Sequence, residues 1–336
     1  MSAMSLTAGA IKARARALGF DLCGVARAEA YPELAWFAEW LARGYAGGMQ
    51  YLVRTAHRRA DVRHVLPSAR SVIVLGTNYH IDRPYSVEIS DPGEAFIARY
   101  ARGDDYHAVL GRRVDALLAW MREANGEPFE ARAYTDTGPV QERIYAQRAG
   151  LGWIGKNTCL ISPDLGSWIF LSEILCSLDL DADEPGLDRC GACTLCLEAC
   201  PTGAIVEPRV LDATRCLSYL TIELRGEMPG PWRDRIGTHV FGCDICQEVC
   251  PWNQSPPVSR DPAWQPRPAL DRPRLAALAS LDDGELARII EGTALTRAGV
   301  VGLRRNLRAA LAAVGHDAGG EPPAAGRPAG DGVGSA

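Results

Sequence analysis

Cys190, Cys193, Cys196 and Cys200, followed by Pro201, carry the spacing C-x2-C-x2-C-x3-C-P. In two-cluster bacterial ferredoxins this run gives three thiolates to one [4Fe-4S] cubane and the fourth to the other. A second half, Cys243-x2-Cys246-x3-Cys250-Pro251, ends the same way, so Cys250 is expected to cross over in return, and Cys216 fills the remaining corner. The count then closes, with Cys190, Cys193, Cys196 and Cys250 on one cluster and Cys200, Cys216, Cys243 and Cys246 on the other. A pair of zinc tetrathiolates would also use C-x2-C pairs, but zinc calls for neither the third close cysteine nor the terminal Cys-Pro. The expected chemistry is therefore one-electron transfer. Cys23, Cys159 and Cys176 lie in apolar runs and read as buried small hydrophobes.

Two shorter patterns point elsewhere and fail on context. Gly150-Leu151-Gly152-Trp153-Ile154-Gly155-Lys156 fits both G-x-G-x-x-G and the G-x4-G-K part of a phosphate loop. A phosphate loop needs Ser or Thr next and this chain has Asn157; a dinucleotide loop follows a strand, and this one follows the helix-like VQERIYAQRAG. A tight turn bringing backbone and Lys156 to another ligand is the better reading. DYHAVLG at residues 105–111 approaches D-x-H-x-x-G, the motif that supplies a histidine to cobalt, but its glycine comes one residue late. His107 is read as a polar residue opening a helix or as a ligand contact, not as a cobalt ligand.

The elements that must position these groups alternate helix-like and strand-like through residues 1–178. A helix is expected near residues 5–18, then FDLCGVA, a helix through ELAWFAEWLA, SVIVLGTNY, a long helix through DYHAVLGRRVDALLAWMREA, and the strands FEARAYTD and SWIFLSEIL. This is an α/β (α+β) domain. The acidic stretch DLDADEPGLD reads as a solvated loop and boundary, leading to a ferredoxin-like domain over 179–255. Seven prolines from Pro251 to Pro273 make an extended connector. A small all-α region then closes the folded part at residues 256–316. Its expected features are a cap at Ser280 and Asp283 and an apolar stripe of Leu303, Leu307 and Leu311. Residues 317–336, rich in Gly, Pro and Ala, are expected to be disordered.

The chain has 336 residues, 47% of them hydrophobic and 23% charged, which suits a soluble multidomain protein. No run approaches 18 apolar residues, and Lys12, Arg14 and Arg16 interrupt the start where an export signal would need an apolar core. A cytoplasmic protein with no membrane partner is expected. The net charge of -5 means that any nucleic acid must meet a local basic patch. Arg54, Arg58, Arg59, Arg63 and Arg70 face only Asp61 in one such stretch. Arg297, Arg304, Arg305 and Arg308 form another without acids, and on a continuous helix Arg297, Arg304 and Arg308 would share one stripe.

The stretches RYARGDDYH, YTDTGPVQER, AGLGWIGKN, CLSYLTIELRG and FGCDICQEVCPWN, together with the eight cysteines, resemble the epoxyqueuosine reductase family over about residues 5–310. The resemblance implies an N-terminal domain cradling cobalamin, a ferredoxin-like domain carrying both clusters, and a helical region helping to hold tRNA. It also implies that Asp136 is the proton donor, and that Arg59, His107, Asp136, Lys156, Asn157, Ser218 and Asp244 lie at the cobalamin site. Asn157 stands where some relatives have His, and the C-terminal helical region is shorter than in relatives with a helical-repeat extension. The competing assignment for Asp136 is the N-cap of a helix beginning near Pro139.

The implied reaction converts an epoxide to an alkene at the wobble nucleoside of tRNA, consuming two electrons that clusters of this kind deliver singly. Asp136 would protonate the departing oxygen, and the modified base would have to leave its stack to reach the cofactor. The expected partners are tRNA and an electron donor that the sequence does not identify; the protein is expected to be a monomer. The rival readings are a cytoplasmic cobalamin-dependent reductive dehalogenase-like enzyme and a plain electron-transfer ferredoxin subunit.

Overall fold

The computed structural model describes residues 6–317, so the expected disordered tail lies outside the described residues apart from its first. Its centre is a four-stranded sheet of β1 (Leu22–Arg27), β2 (Ser71–Asn78), β3 (Ala131–Tyr134) and β4 (Ile169–Cys176) in the order β1-β2-β4-β3. Every neighbouring pair is antiparallel, with Ile73 opposite Val25 on one side and Ile174 on the other. The domain is therefore α+β rather than a parallel α/β sheet.

Strand β2 is buried at all eight positions because both of its faces are covered. On one face Ile73 and Leu75, with Val25, Phe170 and Ile174, meet α1 (Ala8–Ala17) and α2 (Tyr106–Asn125). On the other, Val72 and Val74, with Ala26 and Leu175, meet Tyr145 and Ala146 of α3 (Glu142–Arg148). Helix α3 begins at Glu142, three residues later than Pro139, and its N-cap residue is Gln141.

The C-terminal region is not a separate unit. Leu275, Leu278, Leu286, Leu303 and Leu307 belong to the same core as Ile11, Leu110 and Ile174, and Leu275 N–H donates to Gly93 O. The cap expected at Ser280 and Asp283 falls instead on Asp282, which forms a reciprocal capping box with Glu285. The last helix, α4 (Gly299–Asp317), buries Leu303 and Leu307 but leaves Leu311 39% exposed. Arg297 lies before it in the 3-10 turn Ala294–Arg297, and Gly299 has φ +66°. The continuous arginine stripe is thus broken at Gly299.

In the cysteine-rich segment, two four-residue helices, Leu195–Glu198 and Ile245–Glu248, each carry one cysteine, and a Cys-Pro pair follows shortly after each. Proline cannot continue a helix, so each turn stops where the last cysteine must point away. A parallel bridge pairs His239–Phe241 with Phe96–Ile97, fastening this segment to the first domain. The acidic loop is anchored too: the Val25 N–H donates to Asp183 Oδ2 at 2.8 Å, and Lys12 forms an ion pair with the same carboxylate. No helix among the described residues is long and apolar enough to cross a membrane.

Candidate active site and thiol-bearing loops

Cys190, Cys193, Cys196 and Cys250 line one cavity, which Trp252, Ile161 and Leu195 close with apolar walls. Cys200 lies beside Cys216, Cys216 beside Cys243, and Cys243 beside Cys246. The first set thus lines one cavity and the second set falls within one another's influence. Burial raises the Cys216 thiol, holds Cys243 well above the usual thiol range, and pushes Cys250 up to about 11. Among the described residues, no three His, Cys, Asp or Glu side chains converge on a single-ion site.

The remaining cysteines differ from one another. Burial pushes Cys176 up to about 11 and Cys23 up to about 12, as expected of inert core thiols. Cys159 is only half-buried; its thiol donates to Asn157 O at 3.9 Å and lies within the influence of Cys246. It therefore belongs to the loop packing of the second set rather than to the hydrophobic core, which the spacing alone did not reveal.

Several residues expected against cobalamin are committed to these loops. Lys156 Nζ donates to Gly191 O and Cys193 O, both at 2.8 Å. Asn157 is buried; its Nδ2 donates to Cys246 O at 3.1 Å and its Oδ1 accepts the Cys159 N–H at 3.2 Å. Asp244 is buried, and its Oδ2 accepts the Arg99 N–H at 2.7 Å. These three organise the thiol loops and join them to the first domain. Ser218 sits half-buried in the first turn of the helix Leu217–Ile222, directly after Cys216 and its following leucine. Gly150 ends the turn after α3 at φ +77°, and the glycine run then enters the short strand Trp153–Ile154. Neither a phosphate loop nor a dinucleotide loop has that order.

Asp136 occupies the other side of the site. It is a non-glycine residue at φ +56°, in the left-handed region that Asp and Asn reach more readily than most side chains. Three contacts hold it there. Its N–H donates to Glu142 Oε1 at 3.0 Å, the Tyr106 hydroxyl donates to Oδ2, and His107 Nε2 lies 3.7 Å from the same oxygen. The preceding Thr135 is tied to β4 by a 2.9 Å bond between its hydroxyl and that of Ser172. Asp136 does not cap α3 with its carboxylate: Gln141 is the N-cap residue and no side chain caps it.

The site electrostatics follow from this geometry. His107 Nδ1 sits 2.8 Å from Asp105 Oδ1 while Nε2 faces Asp136, so both ring nitrogens are engaged and neither is offered to a metal. Burial works to lower its pKa, but the facing carboxylates of Asp136 and Asp105 raise it overall. Enclosure works to raise the Asp136 carboxyl, yet the neighbouring His107, the Tyr106 hydroxyl bond and the charges of His107 and Arg143 bring it below the usual carboxylate range. The Asp136 side chain is 57% exposed, so it meets solvent at the mouth of the site, and the two opposite shifts favour a carboxylate on Asp136 beside a protonated His107. Half-buried Tyr100 lies within the field of both Asp136 and Asp244.

Arg59 stands on the Asp136 side: Nη1 donates to Val140 O at 2.8 Å and Nε to Thr55 Oγ1 at 3.1 Å. The C-terminal arginines divide differently from the expectation. Arg305 is only 7% exposed, and its guanidinium donates to Leu220 O, Leu224 O and Gly226 O. It cannot reach a phosphate without abandoning those carbonyls. Arg304 is tied to Asp283 and to Ala279 O, and Arg297 makes a two-pronged pair with Glu223. Arg308 is exposed, and with Arg233 it rims a cavity of ≈ 360 Å³.

Residues 59–137 match the family model described as "Epoxyqueuosine reductase QueG, DUF1730", and residues 189–253 match that of a 4Fe-4S double cluster binding domain. The epoxyqueuosine reductase of Gloeobacter violaceus is 47% identical over 319 residues, spanning 93% of this chain and 98% of its own. That of Synechocystis is 45% identical over 274 residues, 81% of this chain and 93% of its own. A crystal structure of an epoxyqueuosine reductase with an epoxyqueuosine-modified tRNA-Tyr stem loop superposes with a TM-score of 0.82 at 30% identity, covering 90% of this chain and 80% of that one. The Bacillus subtilis enzyme, solved with its catalytic aspartate loop swung out of the active site, gives 0.81 at 29% identity with the same coverage. The matched models fall on the stretches that carry Asp136 and the eight thiols, and the relatives align over nearly their whole length, so this chain is an oxidoreductase of the epoxyqueuosine reductase family.

Proposed function

We propose that the protein reduces epoxyqueuosine to queuosine at the wobble position of tRNA, with Asp136 and His107 together supplying the proton to the departing epoxide oxygen. The observation that carries this reading is the Asp136 carboxylate, held by Tyr106, His107 and Glu142 in a left-handed backbone position at the mouth of the site. An acid must hold a proton to give one, and in the resting pair that proton sits on His107. As the epoxide opens, negative charge grows on its oxygen; the proton held on His107 is relayed through the Asp136 carboxylate to that oxygen, and a second proton from solvent lets it leave as water, matching the two electrons taken up. Tyr106 orients the carboxyl meanwhile. The solvent-facing position of Asp136 suits a base that enters from a tRNA loop.

The two thiol sets are assigned to two [4Fe-4S] clusters, which supply single electrons when bound. Four thiols set around a cavity suit a cubane better than zinc, whose four sulfurs would gather at about 2.3 Å from one point. Cobalamin, which supplies the low-potential reducing centre when bound, is assigned to the Asp136 side of the site, where Arg59, His107 and Ser218 would hold it. The engagement of both His107 nitrogens fits a cofactor without a histidine ligand. Lys156, Asn157 and Asp244 would act there by shaping the loops. Phosphate contacts are assigned to Arg308 and neighbouring exposed arginines, with Arg305 removed from that role.

The deciding experiment is anaerobic incubation of the reconstituted protein with cobalamin, a chemical reductant and epoxyqueuosine-containing tRNA, followed by mass analysis of the nucleosides. Loss of one oxygen from the modified nucleoside is expected. Unchanged epoxyqueuosine with both clusters and cobalamin bound would overturn the reading.

A further inference from the structure

Glu173 is 0% exposed in the middle of β4, between Ser172 and Ile174. Neither of its carboxylate oxygens meets an N–H or O–H donor among the described residues. Strand alternation turns it to the face of Leu175 and Leu171, against α3, and there its carboxyl contacts that of Glu142. Two carboxylates are both acceptors, so that contact is a hydrogen bond only when a proton lies between them. No cation substitutes for the proton. Arg59 influences the pair by charge but spends its hydrogen bonds on Val140 and Thr55, and Arg143 donates to Thr158.

An unpaired buried carboxylate destabilises a fold heavily, and an apolar residue would suit this strand position better. The pair therefore needs a reason in the site. Glu142 provides it, because its Oε1 accepts the Asp136 N–H that helps hold the left-handed turn. Resting on the reading of Asp136 as the acid, we propose that Glu173 and Glu142 are positioning residues that share one proton, and that this shared proton latches the Asp136 loop into the site. With Glu173 donating, Glu142 keeps its negative charge on the oxygen that faces the Asp136 N–H, the stronger kind of acceptor. Without that donor, Glu142 is a charge in apolar surroundings and turns to solvent, which releases the loop.

The groups facing the pair support this arrangement. Burial, then the Asp136 and Glu142 charges, hold Glu173 well above the usual carboxyl range, and burial with the Asp136 charge brings Glu142 up to about 7. Arg59 and Arg143 oppose these effects without reversing them, and Tyr106 faces the same cluster from α2. Above pH 7 the pair keeps one proton. Below it Glu142 becomes neutral and a weaker acceptor, so the latch tightens as pH rises through about 7.

The test uses the reconstituted holoenzyme in two readouts, amide hydrogen exchange at Asp136 and single-turnover kinetics on epoxyqueuosine tRNA. Glu173→Gln keeps a donor toward Glu142, whereas Glu173→Leu fills the space without one. We expect Glu173→Leu to lose about tenfold or more of the Asp136 amide protection and a similar factor in the single-turnover rate constant with tRNA affinity unchanged, while Glu173→Gln keeps both. Protection, corrected for the intrinsic exchange rate, should rise with pH through about 7 in the parent and stay flat in Glu142→Gln. Full protection and an unchanged rate constant in Glu173→Leu would overturn the latch, as would equal losses in both Glu173 variants. If the parent fails to convert tRNA, the functional reading falls, and the exchange readout still decides the latch.

Discussion

In the proposed reaction Asp136 and its neighbours deliver the proton, and their charge state makes a pH prediction. His107 has a raised pKa, so its imidazolium persists below that raised value and its proton is lost as pH rises through it. Single-turnover rate should therefore fall on the alkaline side, and His107→Gln should lower the rate and remove that limb, measured as a pH–rate profile. The same sign governs stability: the His107 contribution is present below about pH 6.5 and lost as pH rises through the folded value. Asp136 itself was readable in TDTGP by resemblance. Its partners were not, because Tyr106 and Glu142 become partners only when α2 and α3 close on one loop, and no local spacing encodes that. Glu173 did leave a trace, a lone carboxylate inside the apolar run SWIFLSEIL.

The elements follow sequence pattern where the pattern is local. The long amphipathic helix through residues 106–125 and the buried run of β2 form as their periodicity requires. The cysteine spacing assigns the eight thiols to two cluster sites by the same local logic. After anaerobic reconstitution the parent should carry about eight irons, and Cys216→Ser about four, measured by iron analysis; stoichiometric zinc would contradict the assignment. Antiparallel pairing was not readable, since continuous apolar strands fit either direction once both faces are covered. The arginines of α4 misled for a related reason. Charge in a sequence suggests exposure, yet Arg305 satisfies three carbonyls in the interior. Arg305→Ala should destabilise the protein by about 2–4 kcal/mol, read from a denaturant midpoint, because it leaves buried acceptors unpaired.

The molecule brings a thiol-rich segment, an acid and a surface bearing exposed arginines onto one core. The parallel bridge Phe96–Ile97 to His239–Phe241 and the Arg99 to Asp244 bond fix the thiol loops against the sheet domain, while the C-terminal leucines complete the same core. Because the net charge is -5, tRNA affinity should depend on few arginines and fall with salt. Arg308→Ala should weaken tRNA binding and flatten the salt slope by roughly one contact, measured by titration across salt concentrations; an unchanged slope would leave Arg308 as solvated surface. The account as a whole turns on proton delivery at Asp136. Asn at that position keeps the size, tolerates the left-handed backbone and can still accept from Tyr106, but carries no carboxylic proton. The most direct measurement is anaerobic single-turnover conversion of epoxyqueuosine tRNA by Asp136→Asn that retains both clusters, cobalamin and tRNA affinity. We predict conversion at least about a hundredfold slower than the parent; near-parental conversion would contradict the account and move the proton source to water or another residue.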